Sequence, residues 1–328
     1  MSLEQGAVLD KAGAENFPVA PFFMPGSMRS GLMAVYGFAR LVDDAGDGDL
    51  ADPVATAELL GVPALTPAHT VDASSTAAGS QGSDAARAPD TAQVTAERLA
   101  LLDGLEADLD RAFETALRAP GAEPPRHPLL AALCPVIDRH GLTPDPFRAL
   151  IQANRVDQTT TRYATFDELL GYCELSANPV GLLVLQLAGL ATPERIRRSD
   201  AVCSGLQVVE HLQDVAEDRA RDRIYLPAED MARFGVAETD LDAAHAGPEL
   251  RALVAYEARR TGALLDEGAP LVGSVPGRLR LLLAGFTAGG RAALGAVAEA
   301  GNDVLAGAPK PRKSRLLREA AVTLVRGR

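Results

Sequence analysis

Two groups of acidic residues stand about half a chain apart in this sequence, Asp43-Asp44-Ala45-Gly46-Asp47 and Asp214-Val215-Ala216-Glu217-Asp218. Within each group acids recur at steps of three and four residues, which places them on one face of a helix. Carboxylates held a few Å apart repel and raise one another's pKa values, so such a face calls for a cation. All-oxygen donors suit Mg²⁺, which takes one or two carboxylates per ion, retains water and completes its octahedron with phosphate oxygens. The expected metal ligands are therefore Asp43, Asp44, Asp47, Asp214, Glu217 and Asp218, and the expected substrate carries a diphosphate. A calcium loop over 43–52 is excluded because the series Asp44-Asp47-Asp49 lacks the alternating acids of that loop.

The neighbours of the acids sharpen this expectation. Tyr36, Arg40, Asp43 and Asp47 fall on one helical stripe. Arg40 can pair with the acids, or it can offer its fork to a diphosphate. In the second region Gln207, Glu210, Asp214, Glu217, Asp218 and Arg221 share a face, with Val208, Leu212 and Val215 opposite, so the polar stripe faces either a polar cavity or water. His211 lies one residue off that stripe and reads as a packed or solvated side chain rather than a ligand.

These residues need helices to position them, and the sequence supplies helices almost exclusively. Aromatic residues make up 4% of the chain, alternating β-branched runs are absent, and apolar residues recur at i, i+3, i+4 and i+7. Helices are predicted over 29–47, 95–118, 129–140, 145–162, 167–190, 194–222, 249–268 and 276–300. At 328 residues, 47% hydrophobic, the chain can bury a core, and the reading is one all-α domain over 1–328. From about 61 to 93 the pattern gives way to Pro, Ala, Ser, Thr, Gly and Asp, the composition of a disordered insertion within that domain.

A net charge of −12 leaves no basic stripe over most of the chain to neutralise phosphates, which excludes a general nucleic-acid binder. Cys134, Cys173 and Cys203 form no close pair, so neither zinc nor a disulfide framework is indicated, and a reduced cytoplasmic setting follows. The longest apolar stretch recognised, around 180–191, is interrupted by Gln186 and too short to span a bilayer. From about residue 310 a basic tail, Lys310-Pro311-Arg312-Lys313-Ser314-Arg315-Leu316-Leu317-Arg318, reverses the overall charge. It reads either as a solvated helix end or as a peripheral contact with an anionic membrane, continued by a short amphipathic helix through Val322, Leu324 and Val325.

The string Tyr36-Gly37-Phe38-Ala39-Arg40-Leu41-Val42-Asp43-Asp44 with Asp47 resembles the first aspartate-rich motif of the squalene/phytoene synthase family. Gln213-Asp214-Val215-Ala216-Glu217-Asp218 through Arg223-Ile224-Tyr225-Leu226-Pro227 resembles the second. Arg162-Tyr163-Ala164-Thr165-Phe166 through Tyr172-Cys173 and Ser176-Ala177-Asn178-Pro179-Val180-Gly181 also follow the family pattern. The latter, with Glu15-Asn16-Phe17-Pro18-Val19-Ala20, is similar to the bacterial hopanoid branch, whose members resemble hydroxysqualene synthases. Departures are Glu210 where many members carry Asn, Gln213 where some carry Arg, Asp222 where Gly usually precedes Arg223, and Asn178-Pro179 in place of Gly-Thr.

The resemblance implies a prenyl-synthase helical bundle around a central cavity. It implies Mg²⁺ on the six carboxylates, with Arg40, Arg223, Tyr225 and Gln207 as catalytic or diphosphate-contacting groups. The implied reaction converts presqualene diphosphate to hydroxysqualene, for hand-over to other hopanoid-pathway enzymes. The alternatives are condensation of two farnesyl diphosphates, and a non-catalytic relative that serves as an assembly factor, although such relatives are expected to have lost the acids retained here. Apolar walls for a carbocation are expected from Val180, Leu183, Val184 and Leu187.

Overall fold

The computed structural model describes residues 20–63 and 91–326. In chain order the helices are α1 (Gly26–Asp47), α2 (Pro53–Leu60), α3 (Thr91–Ala116), α4 (Pro128–His140), α5 (Asp145–Val156), α6 (Phe166–Ser176) and α7 (Asn178–Leu187). They continue with α8 (Pro193–Gln213), α9 (Val215–Ala220), α10 (Ala228–Phe234), a 3₁₀ turn (Glu238–Asp242), α11 (Pro248–Gly268), α12 (Leu271–Ser274), α13 (Gly277–Glu299) and α14 (Lys313–Arg326). No strand occurs among the described residues, so the all-α expectation holds; the one isolated bridge there joins Arg162 to Ile224.

Local sequence sets many of the ends. Asp52, Thr165 and Thr192 cap α2, α6 and α8 by accepting from Ala55, Glu168 and Arg195 N–H groups. Gly48 adopts the left-handed conformation that closes α1, with its N–H returned to the Asp44 carbonyl. The predicted helix 167–190 divides at Ala177 because Pro179, in the first turn of α7, has no N–H to continue the ladder and its ring crowds the preceding turn. The predicted helix 145–162 stops at Val156, since Thr161 is drawn into extended backbone where its carbonyl accepts the Ile224 N–H at 2.9 Å. Helix α3 begins at Thr91, inside the stretch 61–93 expected to be disordered; residues 64–90 of that stretch lie outside the described residues.

Two apolar clusters hold the bundle. One gathers α1, α3, α4 and α5 around Phe38, Phe113 and Phe147, whose rings meet edge-on at 5.1 and 5.8 Å. The other gathers α6, α8, α11 and the segment 224–254 around Leu169, Leu212, Leu253 and Val254. Helix α7 touches both α1 and α8, so it is the wall between the two acidic helices. Helix α13 is long and apolar enough by composition to cross a membrane, yet its small and apolar residues Ala284, Ala288, Ala292 and Val297 are buried in protein contacts.

Candidate active site

Helix α1 delivers its acids in three directions. Asp43 is exposed by surface area yet has protein crowded around its carboxyl, and the Asn154 amide donates to its Oδ1 at 3.0 Å. That enclosure pushes the Asp43 carboxyl up to about 6, against the opposing pull of the Asn154 amide and Arg40. Asp44 turns inward, buried, with its Oδ1 2.8 Å from Arg40. Asp47 meets the guanidinium of Arg223 at 3.1 Å, a contact that joins the two acidic regions across 176 residues. Of the first group, then, Asp43 and Asp47 stand on the open side and Asp44 holds Arg40. The Nε of Arg40 is buried and has no hydrogen-bond partner among the described residues, a donor awaiting an acceptor.

The second group departs from the expected continuous helix over 194–222, because the chain bends at Asp214 (φ −104°, ψ 15°) between α8 and α9. The bend keeps the ladder: Asp214 N–H donates to the Glu210 carbonyl at 2.9 Å, and Asp218 N–H to the Asp214 carbonyl at 2.8 Å. Asp214 therefore stays in register with Glu217 and Asp218, and its carboxyl is raised by burial first and by those two neighbours next. At the same place the Gln213 amide donates to the Pro309 carbonyl at 2.5 Å, tying this helix end to the C-terminal segment.

Asp222 adopts φ +59°, where a side chain costs about 1 kcal/mol and glycine costs nothing. Here Arg162 offsets that strain, donating to the Asp222 carboxylate at 2.7 Å and its carbonyl at 2.5 Å while also pairing with Glu238 at 2.9 Å. This clamp fixes the turn that aims Arg223 at Asp47. Tyr225 then stacks on His211, with ring centroids 3.6 Å apart and planes 11° apart. Tyr163 and Tyr172 pack beside it at 5.7 and 5.9 Å. His211 is buried, its basicity lowered by desolvation, and its Nε2 lies 3.3 Å from the Gln207 amide, so it acts as a packed platform.

Several residues of the site carried no role in the sequence reading. Asn154 and Gln158, one turn apart on α5 and just past its end, bind Asp43 and the Gly46 carbonyl, and both continue, at steps of three, four and seven residues, the stripe that Phe147, Leu150 and Ile151 occupy. Asp157 accepts from the Tyr172 hydroxyl at 2.8 Å. Burial pushes its carboxyl up to about 6, and its other oxygen is buried without a hydrogen-bond partner among the described residues. Polar residues on an otherwise apolar stripe of α5 were the available signal.

Beside the acids lies a mainly apolar cavity of about 230 Å³, lined by Val180, Val184, Val202, Leu206, Leu283 and Phe286, with Ser176, Gln207 and Glu210 among its polar groups. Val180 and Val184 line it as expected, whereas Leu183 and Leu187 do not: both are buried in the apolar core. A second cavity of about 310 Å³ shares Leu206 and Glu210 with the first and reaches Asp214, Glu217 and Lys310.

No three of the acidic, His or Cys side chains among the described residues already converge at metal-binding distance. The chemistry of the donor set nevertheless suits a hard cation. Its members are carboxylates, Asp43 and Asp214 are held above their ordinary pKa range, and one or two carboxylates per Mg²⁺ is the usual share.

The squalene/phytoene synthase family model matches residues 82–318. The chain belongs to the squalene/phytoene synthase family. This member is 31% identical over 262 residues to the hydroxysqualene synthase of Rhodopseudomonas palustris, spanning 80% of this chain and 71% of that one. It is 30% identical, with the same coverage, to the hydroxysqualene synthase of Sinorhizobium fredii. The solved squalene synthase HpnC from Alicyclobacillus acidocaldarius superposes with a TM-score of 0.68 at 33% identity, over 91% of this chain and 94% of that one. A dehydrosqualene synthase solved with a ligand gives 0.71 at 22% identity, over 98% and 96%, which shows the shared fold. These relationships make the protein an enzyme of the prenyl-synthase class. The first acidic group precedes the matched span, and its contacts with Arg223, Asn154 and Gln158 join it to that span in space.

Proposed function

We propose that this enzyme converts presqualene diphosphate and water to hydroxysqualene and diphosphate. The observation that carries the reading is an apolar cavity with a few polar groups that shares Glu210 with a second cavity lined by Asp214 and Glu217, carboxylates suited to a metal-bound diphosphate. Among those polar groups the Ser176 hydroxyl is buried without a hydrogen-bond partner among the described residues, with Gln207 and Glu210 in the same lining. Such groups suit one ordered water in an otherwise apolar pocket.

Asp43 and Asp47 on one side, and Asp214, Glu217 and Asp218 on the other, would hold Mg²⁺, which supplies Lewis-acid neutralisation of the diphosphate. Arg40 and Arg223 add fixed positive charge, Arg40 through its unpartnered Nε and Arg223 from its seat on Asp47. The C–O bond breaks with its electron pair leaving on diphosphate. The cyclopropylcarbinyl cation would rearrange between the apolar side chains of Val180, Val184, Leu206 and Phe286. A water oriented by Ser176 and Gln207 would add through its oxygen, and Glu210, in the same lining, would take the released proton. The apolar C30 alcohol would pass to an enzyme that consumes it.

One observation favours a second reading. The two adjoining cavities, which share Leu206 and Glu210, would suit two prenyl chains, as condensation of two farnesyl diphosphates requires. Purified protein incubated with each diphosphate, with and without Mg²⁺ and NADPH, separates the readings by the lipid formed. Hydroxysqualene from presqualene diphosphate, Mg²⁺-dependent and lost in Asp43→Asn and Asp214→Asn, is the expected result. Untouched presqualene diphosphate alongside consumed farnesyl diphosphate would overturn it.

A further inference from the structure

Helix α14 is docked on the bundle by its inner side only. Arg280 donates to the Leu324 carbonyl at 2.8 Å, Arg291 donates to the buried Thr323 hydroxyl at 3.0 Å, and Arg315 pairs with Glu299 while lying against the bare face of Gly295. Leu324 packs on the core, and Leu316 lines the second cavity. Val322 and Leu324, read from the sequence as part of an outward apolar face, are thus partly buried, and the outward face is a different one. Leu317, Ala321 and Val325 recur at steps of four residues on it, with Leu317 72% and Val325 68% exposed.

Beside that apolar stripe stand Lys310, Arg312, Lys313 and Arg318, all exposed and none of them in a salt bridge among the described residues. No acid occurs between Asp303 and Glu319, in a chain whose net charge is −12. A helix that spends its inner face on protein gains nothing within the fold from large apolar side chains pointing outward. An exposed apolar stripe bordered by unpaired cations is instead the pattern of a helix lying in the headgroup region of an anionic bilayer.

We infer that the outer face of α14 docks this protein on an anionic lipid surface through Leu317, Ala321 and Val325, with Lys313 and Arg318 against the headgroups. The charge complementarity selects the bilayer as occupant: in a chain of net charge −12, the acid-free stretch between Asp303 and Glu319 sets its cations beside this apolar stripe. The same segment, through Lys310, Pro311 and Leu316, forms part of the second cavity's lining, so docking here would bring that cavity's mouth to the lipid. The docking does not depend on which prenyl diphosphate is consumed.

The test is partitioning of the full-length protein onto vesicles, measured by co-sedimentation. Binding to vesicles containing phosphatidylglycerol, little binding to pure phosphatidylcholine, and release by salt are expected. Each cation near an anionic surface gives roughly a fivefold gain in partitioning, so Lys313→Ser/Arg318→Ser should bind about thirtyfold less. Leu317→Ser/Val325→Ser should also lose binding, with an unchanged circular dichroism spectrum and unchanged turnover of detergent-dispersed substrate. Equal binding to neutral vesicles, or wild-type partitioning by both variants, would overturn the inference. So would a sedimentation coefficient that falls to that of a smaller assembly in Leu317→Ser/Val325→Ser without any vesicle binding by the wild type, because the face would then join copies of the chain.

Discussion

Adding one methyl group at Gly46 should disturb the acid three residues away. Gly46 lies in the last turn of α1, and a Cβ built there would sit 2.2 Å from Asn154 Oδ1 and 3.1 Å from its Cβ. Asn154 cannot swing clear, because it is buried and its amide already serves both Asp43 and the Leu150 carbonyl, at 3.0 and 3.2 Å. Gly→Ala in a helix ordinarily stabilises by about 0.5–1 kcal/mol. Overpacking costs about 1–3 kcal/mol, and a lost hydrogen bond to a charged group about 1.5–3 kcal/mol. Gly46→Ala should therefore destabilise the protein by about 1–3 kcal/mol, and it should raise the Mg²⁺ concentration needed for half-maximal turnover because Asp43 loses its fixed orientation. In an Asn154→Ala background the obstruction is gone, and the same substitution should stabilise by about 0.5 kcal/mol. Urea unfolding of the four proteins of this cycle gives the coupling, expected at about 2 kcal/mol. An effect of Gly46→Ala that is the same in both backgrounds would refute the reasoning.

Asp157 gives a pH signature. Its carboxyl is raised to about 6 from an ordinary 3.8, so the folded state holds the proton more tightly than the unfolded chain. The stability this group adds is complete below about pH 4 and is lost as pH rises through about 6, with a ceiling of roughly 3 kcal/mol. Asp157→Asn keeps an acceptor for Tyr172 and removes the charge, so relative to wild type its melting temperature should improve between pH 4 and pH 7.5; a constant difference would contradict this. Elsewhere, Arg260 binds the buried pair Glu257 and Asp230 at 2.7 Å. Arg260→Met should cost about 3–5 kcal/mol in denaturant unfolding, because two buried carboxylates lose their shared cation, and Glu257→Gln added to it should recover part of that loss.

The helical character of this chain was legible in its periodicity, because an amphipathic helix needs only its own 3.6-residue repeat to declare which face will be buried. The acids were legible for the same reason, their spacing being local. The break at Asp214 was not, since no Pro or Gly stands there and its neighbour Gln213 is tied to Pro309, far along the chain. The end of α5 at Val156 was hidden likewise, as it depends on Thr161 pairing with Ile224. Asn154 and Asp157 are polar residues at or near the buried face of α5, and their partners Asp43 and Tyr172 arrive only when α1 and α6 pack against it.

The sequence alone determined an all-α chain with two acidic stripes, two arginines suited to a diphosphate and the family strings around them, because each of these lives within a few turns of one helix. Tertiary structure decided which acids face outward, turning Asp44 onto Arg40 and leaving Asp43 and Asp47 open. It also brought Arg223 to Asp47 across 176 residues, set His211 beneath Tyr225 and exposed Leu317 and Val325 on α14. Those outcomes depend on which helix lies against which, and no local repeat records that choice.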